Sequence, residues 1–65
     1  MDEKVLEHLS SRLEDRKRQL MEYLCEGTAK DYAEYRALCG EIRGLLAAQV
    51  EASDLVRKLK ELEDE

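Results

Sequence analysis

The stretch EGTAKD at residues 26–31 interrupts a chain whose apolar residues otherwise recur at helical spacing. Gly27 suits the left-handed conformation that caps the C-terminus of a helix. Thr28, followed three residues later by Asp31, resembles a capping box at the start of a further helix, with Asp in place of the usual Glu or Gln. One helix that ends and another that begins within a few residues predict an antiparallel αα-hairpin.

The residues before this turn predict a first helix over residues 2–26. Its apolar side chains recur every three or four residues and form one face. They are Leu6, Leu9, Leu13, Leu20 and either Tyr23 or Leu24. Arg16 or Lys17 occupies the gap in this face, where a cation can lay its aliphatic stem along the face and keep its charge in water. Alternatively, Arg16 pairs with an acid across an interface, and the sequence leaves both interpretations open.

The residues after the turn at 27–28 predict a second helix over residues 29–62 with two unlike faces. At about 100° per residue, bulky side chains point one way and small ones the other. The bulky face comprises Tyr35, Leu38, Cys39, Ile42, Leu45 and Leu46, and we expect it to pack on Leu6, Leu9, Leu13 and Leu20 of the first helix. The small-residue face comprises Ala33, Ala37, Gly40, Gly44, Ala47 and Ala48. A glycine inside a helix costs roughly 1 kcal/mol relative to alanine, so two of them one turn apart favour the close approach of another helix.

The predicted second helix is longer than the first, roughly 50 Å against roughly 35 Å. We therefore expect its C-terminal part to extend, uncovered, past the first helix. Leu55, Leu59 and Leu62 continue there the apolar surface that the small-residue face begins. The expected fold class is all-α. A single domain over residues 1–65 forms a two-helix antiparallel hairpin with a longer second helix, which we expect to assemble into a helical bundle.

The charge balance and the apolar pattern exclude several classes of protein. The net charge is −5, and the basic residues are interleaved with acids. Direct nucleic-acid binding needs clustered Lys and Arg, so this chain is a poor candidate for it. No stretch approaches the ~20 apolar residues of a membrane span, and no signal-peptide pattern opens the chain. We expect no membrane partner and a place in the cytoplasm or in a particle assembled there.

Residues of the types used in catalysis, metal binding or phosphate binding are few, and their spacing does not match such sites. His8 is the only histidine and no Cys-x-x-Cys occurs, which argues against a metal site. Residues 39–44, CGEIRG, lie within a predicted helix and lack the Lys-Ser/Thr ending of a phosphate-binding loop. Cys25 and Cys39 fall at different heights of the predicted hairpin, so we expect two free thiols. The expectation is a protein that is not an enzyme and binds no cofactor.

Two of the three tyrosines, Tyr32 and Tyr35, stand beside Arg36 at the start of the second helix. Tyr and Arg are enriched at protein interfaces because they combine a large contact area with a polar tip. Tyr35 belongs to the bulky face and is expected to close the hairpin end with Tyr23, whereas Tyr32 projects to another side. The expected interface therefore consists of the small-residue face, Leu55, Leu59, Leu62, Tyr32 and Arg36.

Residues 30–45, KDYAEYRALCGEIRGL, resemble a recurrent pattern in very small, uncharacterised proteins of tailed bacteriophages. The shared marks are an acidic residue followed by Tyr-x-x-Tyr-Arg, a Cys-Gly step and an Ile-x-Gly-Leu ending. Such reading frames often lie among the virion-assembly genes. The resemblance covers about a quarter of the chain. It implies a phage setting, at the portal, head or head-to-tail connector, and implies no activity.

These expectations together favour a protein that acts by binding other proteins. The leading hypothesis is a small structural or accessory protein of a phage virion. Its partner would be a further copy of itself, a larger virion protein, or both, in the host cytoplasm during assembly and in the virion. One alternative is a phage-encoded inhibitor of a host protein, used in host takeover or against host defence. Another is an oligomeric small-ligand sponge with a pocket lined by Arg36, Arg43 and the tyrosines.

Overall fold

The computed structural model describes residues 2–63, which form two antiparallel α-helices. Helix α1 spans Glu3–Cys25 and helix α2 spans Tyr32–Glu63. The predicted all-α hairpin is confirmed, with 32 residues in the second helix against 23 in the first. No proline interrupts either helix. The molecule is a rod of 52 × 15 × 15 Å.

Both ends of α1 are capped by local hydrogen bonds. The Asp2 carboxylate accepts the backbone N–H of Lys4 at 3.0 Å, which satisfies one of the unpaired donors of the first turn. Gly27 has a φ of 73°, and its N–H donates to the carbonyl of Leu24 at 3.0 Å. The next N–H, that of Thr28, points to the carbonyl five residues earlier at 3.5 Å, which completes a Schellman motif. The prediction that Gly27 caps the first helix is therefore confirmed.

Helix α2 begins three residues later than predicted, because Asp31 and not Thr28 caps it. The Asp31 carboxylate accepts the backbone N–H of Glu34 at 2.8 Å, and the Glu34 carboxylate reaches back to the N–H of Lys30 at 3.1 Å, so Asp31 is the N-cap of α2. The Thr28 hydroxyl donates instead to the carbonyl of Tyr23 at the end of α1. The connection consequently covers residues 26–31 rather than 27–28.

The two helices meet along a seam with the seven-residue repeat of a coiled coil. From α1 the seam residues are Leu6, Ser10, Leu13, Lys17, Leu20 and Leu24. From α2 they are Leu38, Ile42, Leu45, Gln49, Ala52, Val56 and Leu59. All of these side chains are buried or half-buried, and Leu6, Leu20 and Ala52 are the most deeply buried.

Two leucines assigned to the seam from the sequence lie beside it. Leu9 on α1 and Leu46 on α2 flank the seam and are 46% and 51% exposed. The reason is that the seven-residue repeat runs through Ser10 and Lys17. Lys17 lays its stem in the seam and holds its amine 2.9 Å from the Glu14 carboxylate.

The C-terminal part of α2 is covered by α1, so the expectation of an uncovered segment is wrong. Lys60 Nζ lies 3.6 Å from a Glu3 carboxylate oxygen and 3.8 Å from one of Glu7. The first turns of α1 therefore lie against the last turns of α2. The extra length of α2 lies mostly at the other end, beside the connection 26–31, which is longer than predicted.

A single register holds along the hairpin. At the middle of the seam, Gln49 Nε2 donates to the Glu14 carboxylate at 2.6 Å. Gln49 is eleven residues before Lys60, and Glu14 is eleven residues after Glu3. The pair at the middle and the pair at the open end report the same alignment. The pairs beside the seam are offset from it in opposite directions, Arg16–Glu41 by six residues and Lys60–Glu7 by four, so this alignment lies between them and gives the approximate level of any other residue.

Candidate protein-interaction surface

Most of the large apolar side chains remain exposed to solvent. Among residues 2–63, only Leu6, Leu20 and Ala52 are buried. More than a third of the surface is exposed for Val5, Leu9, Met21, Tyr23, Tyr32, Tyr35, Leu46, Val50, Leu55 and Leu62. A chain this small with so few buried residues has little hydrophobic stabilisation of its own. The candidate functional feature is therefore an apolar surface.

Contacts between the helices distinguish two sides of the hairpin. On the Arg16 side, Arg16 lies 3.7 Å from the Glu41 carboxylate, and the Tyr23 hydroxyl donates to Glu34 at 3.2 Å. On the opposite side, which we call the Lys60 side, Lys60 pairs with Glu7. Residues at multiples of seven share a side of a coiled-coil helix, so these contacts assign the neighbouring surface residues as well.

Exposed apolar side chains lie on both sides of the hairpin, with Met21 and Leu46 on the Lys60 side, but those at the end of the rod away from the turn lie on the Arg16 side. Leu9 lies seven residues before Arg16 and shares its side. Leu55 lies fourteen residues after Glu41 and also falls on the Arg16 side. The resulting open-end patch comprises Val5 (56% exposed), Leu9 (46%), Leu55 (49%) and Leu62 (66%).

A shallow groove continues from this patch toward the middle of the rod. Its volume is about 640 Å³, and its lining is mostly apolar, from Val5, Leu9, Leu13 and Leu45, with His8, Arg12 and Arg16 also lining it. Leu45 belongs to α2, so the groove lies over the seam. Such a groove can take up apolar side chains of a partner, and the two arginines favour a partner that presents acids.

One acid of α2 matches the arginines in level. Glu51 is two residues after Gln49, and Arg12 is two residues before Glu14, so Glu51 and Arg12 stand at the same height of the rod. In the part of the chain that the structure describes, no ion pair involves Arg12 or Glu51. Both charges are thus available to a partner.

The small-residue face lies on the part of α2 that is turned away from α1. Ala33, Ala37, Gly40, Gly44 and Ala47 are exposed, and Ala48 is half-buried. A Cβ atom at Gly40 or Gly44 would meet no atom within 4 Å. The hairpin alone therefore gives no packing reason for either glycine.

The remaining residues of the expected interface are divided among three places. Leu55 and Leu62 are exposed on the Arg16 side. Leu59 belongs to the seam and is half-buried. Tyr32 and Arg36 are exposed near the turn, at the far end of the rod from Leu62. The structure thus brings Leu55 and Leu62 together with α1 residues and leaves Tyr32 and Arg36 apart from them.

The tyrosines near the turn pair differently from the expectation. Tyr32 stacks on Tyr35, with ring centroids 6.2 Å apart and planes at 27°, while Tyr23 turns to Glu34. The hydrogen bond to the Glu34 carboxylate raises the pKa of Tyr23. Hydrogen bonding to the Cys39 thiol raises the pKa of Tyr35. Both phenols therefore stay protonated at neutral pH and serve as hydrogen-bonding and packing groups.

A polar cluster occupies the middle of the seam. Glu14 accepts from Gln49 Nε2 and pairs with Lys17, and these interactions, that with Gln49 first, lower the pKa of Glu14. Gln49 Oε1 is buried, and within residues 2–63 it has no hydrogen-bond partner. Polar groups in a coiled-coil seam fix the register. Lys17 fills the seam, as the first interpretation of the gap in the first helix has it, while Arg16 pairs with Glu41 within the hairpin, so pairing of Arg16 across an interface stays a prediction.

Val5, Arg12 and Glu51 belong to this surface and were missed by sequence reasoning. A signal for two of them exists, because Val5, Leu9, Arg12 and Arg16 recur at spacings of four and three and so form a second stripe on α1. The level of Glu51 depends on the hairpin register, which the sequence pattern leaves open.

Comparisons with protein-family models, with curated proteins and with solved structures find no match. Of the two helices within residues 2–63, neither is long and apolar enough to cross a membrane. The same residues contain no group of three His, Cys, Asp or Glu side chains placed to hold a metal ion. Cys25 and Cys39 are free thiols. The apolar surface of the rod is therefore the candidate functional feature.

Proposed function

We propose that this chain acts by helix-mediated protein–protein contact, as a small structural or accessory protein of a tailed-phage particle. The observation that carries the contact role is the open-end patch, in which four large apolar side chains stand exposed on one side of the rod. Contiguous exposed apolar surface with a charged margin is typical of a protein-binding site. The phage setting is supported by the resemblance of residues 30–45.

The make-up of the surface suits binding to another helix. The patch and the groove are both elongated along the rod, and the groove lies over the seam between α1 and α2. A helix laid there buries apolar side chains at every third or fourth position. Arg12 and Arg16 lie at the margin, where a polar rim contributes orientation and specificity rather than most of the affinity.

Quantitative mass spectrometry of purified particles tests this proposal. We expect the chain at a constant copy number per particle when the phage encodes the wild type. A phage that encodes Leu62→Asp should carry far fewer copies, because a carboxylate in the patch opposes burial. Leu46→Asp is the matched control, since Leu46 is similarly exposed on the Lys60 side and should leave the copy number near that of the wild type.

Absence of the wild-type chain from particles would contradict the proposal. Recovery of the chain in a complex with one host protein, together with that absence, would favour the inhibitor hypothesis instead. The two results are separable in a single infection, because particles and lysate are collected from the same culture.

A further inference from the structure

We propose that the open-end patch binds a second copy of this chain, so that α1 of each copy lies antiparallel on α2 of the other. The product is a symmetric four-helix bundle in which both turns lie at the same end. This inference rests on the proposed function, because it names the first partner of the same surface. It is tested with the purified chain alone, without particles.

The exposed area of the hairpin is the first argument for a second copy. The chain exposes 5175 Å², whereas a compact chain of this mass exposes about 4,300 Å². The excess of about 900 Å² is close to the ~800 Å² that each partner buries in a stable interface of standard size. A single copy of the same chain is therefore large enough to cover the surplus surface.

Apolar contacts favour one arrangement of the two copies. A twofold axis parallel to the helices keeps every residue at its level and places α1 against the partner's α2. Leu55 is six residues after Gln49, and Leu9 is five residues before Glu14, so Leu9 and Leu55 are within one residue of the same level. In this arrangement Leu9 packs on the partner's Leu55, and the two patches cover each other.

Charges favour the same arrangement. Arg12 and Glu51 stand at one level, so Arg12 of each copy meets the partner's Glu51. The other face-to-face stack, in which α1 packs on the partner's α1, sets Arg12 and Arg16 of the two copies against each other. Like charges brought together at an interface are strongly unfavourable. Charge complementarity therefore selects packing of α1 on the partner's α2.

Nearer the turn, the side chains of the two copies are complementary in size, because a large residue of one copy faces small residues of the other. Tyr23 is nine residues after Glu14, and Gly40 is nine residues before Gln49, so Tyr23 stands at the level of Gly40. Gly44 and Ala37, on either side of that level, border the Arg16 side of α2. Because no atom of the hairpin fills the space at Gly44, the partner's Tyr23 has room to approach α2 there.

Charge reversal at the predicted contact tests the arrangement, with the dissociation constant measured by sedimentation equilibrium. The wild type should be a dimer at micromolar concentration. Arg12→Glu and Glu51→Arg should each weaken the dimer about fivefold or more, since each removes two cross-copy pairs and creates two like-charge contacts. The double variant Arg12→Glu/Glu51→Arg restores opposite charges and should return to within about twofold of the wild type.

Arg18→Glu is the matched control, because it makes the same charge change on the Lys60 side of α1. It should alter the dissociation constant by less than about twofold. A monomeric wild type at micromolar concentration would overturn the inference. So would a double variant whose losses add instead of cancelling, which would indicate a different packing of the copies. Neither result bears on whether particles contain the chain, so failure here and failure of the proposed function are distinguishable.

Discussion

Replacement of Leu55 by alanine should weaken self-association while leaving the hairpin helical. Leu55 is 49% exposed in the hairpin, so about half of its side chain is left for a partner to cover. Full burial of a leucine side chain contributes about 1.5–3 kcal/mol, and the remaining half therefore contributes about 1 kcal/mol per copy. Two copies lose about 2 kcal/mol together, which corresponds to a roughly 30-fold increase in the dissociation constant.

Leu46→Ala provides the matched comparison for this prediction. Leu46 lies on the same helix and is 51% exposed, but it stands on the Lys60 side. We expect its replacement to change the dissociation constant by less than about threefold. Sedimentation equilibrium over a concentration series gives both constants, and circular dichroism verifies that both variants remain helical. Equal effects of the two variants, or no effect of Leu55→Ala, would refute the assignment of the interface to the Arg16 side.

Three further predictions concern other parts of the chain. Gly44→Leu should keep the helical signal in circular dichroism, because no atom of the hairpin lies within 4 Å of the added Cβ, but it should raise the dissociation constant about tenfold or more by overpacking the interface; an unchanged constant would remove Gly44 from the contact. Asp31→Ala should lower the free energy of unfolding in urea by about 1 kcal/mol through loss of the helix cap, whereas Asp31→Asn keeps the acceptor and should stay near the wild type; equal losses would exclude capping as the cause. The hydrogen bond from Gln49 holds the pKa of the Glu14 carboxylate below the ordinary 4.5. The ionised carboxylate therefore stabilises the fold above pH 4.5, and that contribution disappears as the pH falls through the lowered pKa. The stability difference between the wild type and Glu14→Gln should therefore shrink from about pH 7 to about pH 3, and a constant difference would contradict this role.

The sequence predicted the two helices and the cap between them because those features depend on neighbouring residues. Gly27 adopts the left-handed conformation that its lack of a side chain permits. The start of α2 was harder to predict, because Thr28 and Asp31 are both good caps and only two residues lie between them. The choice depends on Glu34, whose N–H reaches Asp31. The Thr28 hydroxyl instead donates a hydrogen bond to the carbonyl of Tyr23 at the end of α1.

The division between seam and surface depends on the packing of two helices, so a single stripe of leucines predicts it incompletely. Leu9 is more hydrophobic than Ser10, yet the seven-residue repeat places Ser10 in the seam and Leu9 beside it. Lys17 behaves in the same way, since its long stem fills a position where a leucine would be expected. The sequence pattern could give the small-residue face on α2 and the stripe of Val5, Leu9, Arg12 and Arg16 on α1, but the level of Glu51 opposite Arg12 required the register.

The dimensions of the rod and the spacing of its cross-helix contacts have a mechanical consequence. One contact lies near the turn, one at the middle and one near the open end. A slip of one helix along the other would break all three at once and would misalign the seven-residue repeat of the seam, so sliding is opposed along the whole length of the rod. Tyr32 at one end and Leu62 at the other are consequently held apart by most of the 52 Å length. A chain of 65 residues thereby presents its two ends at a set separation, and neighbours that bound one end each would be held at that distance.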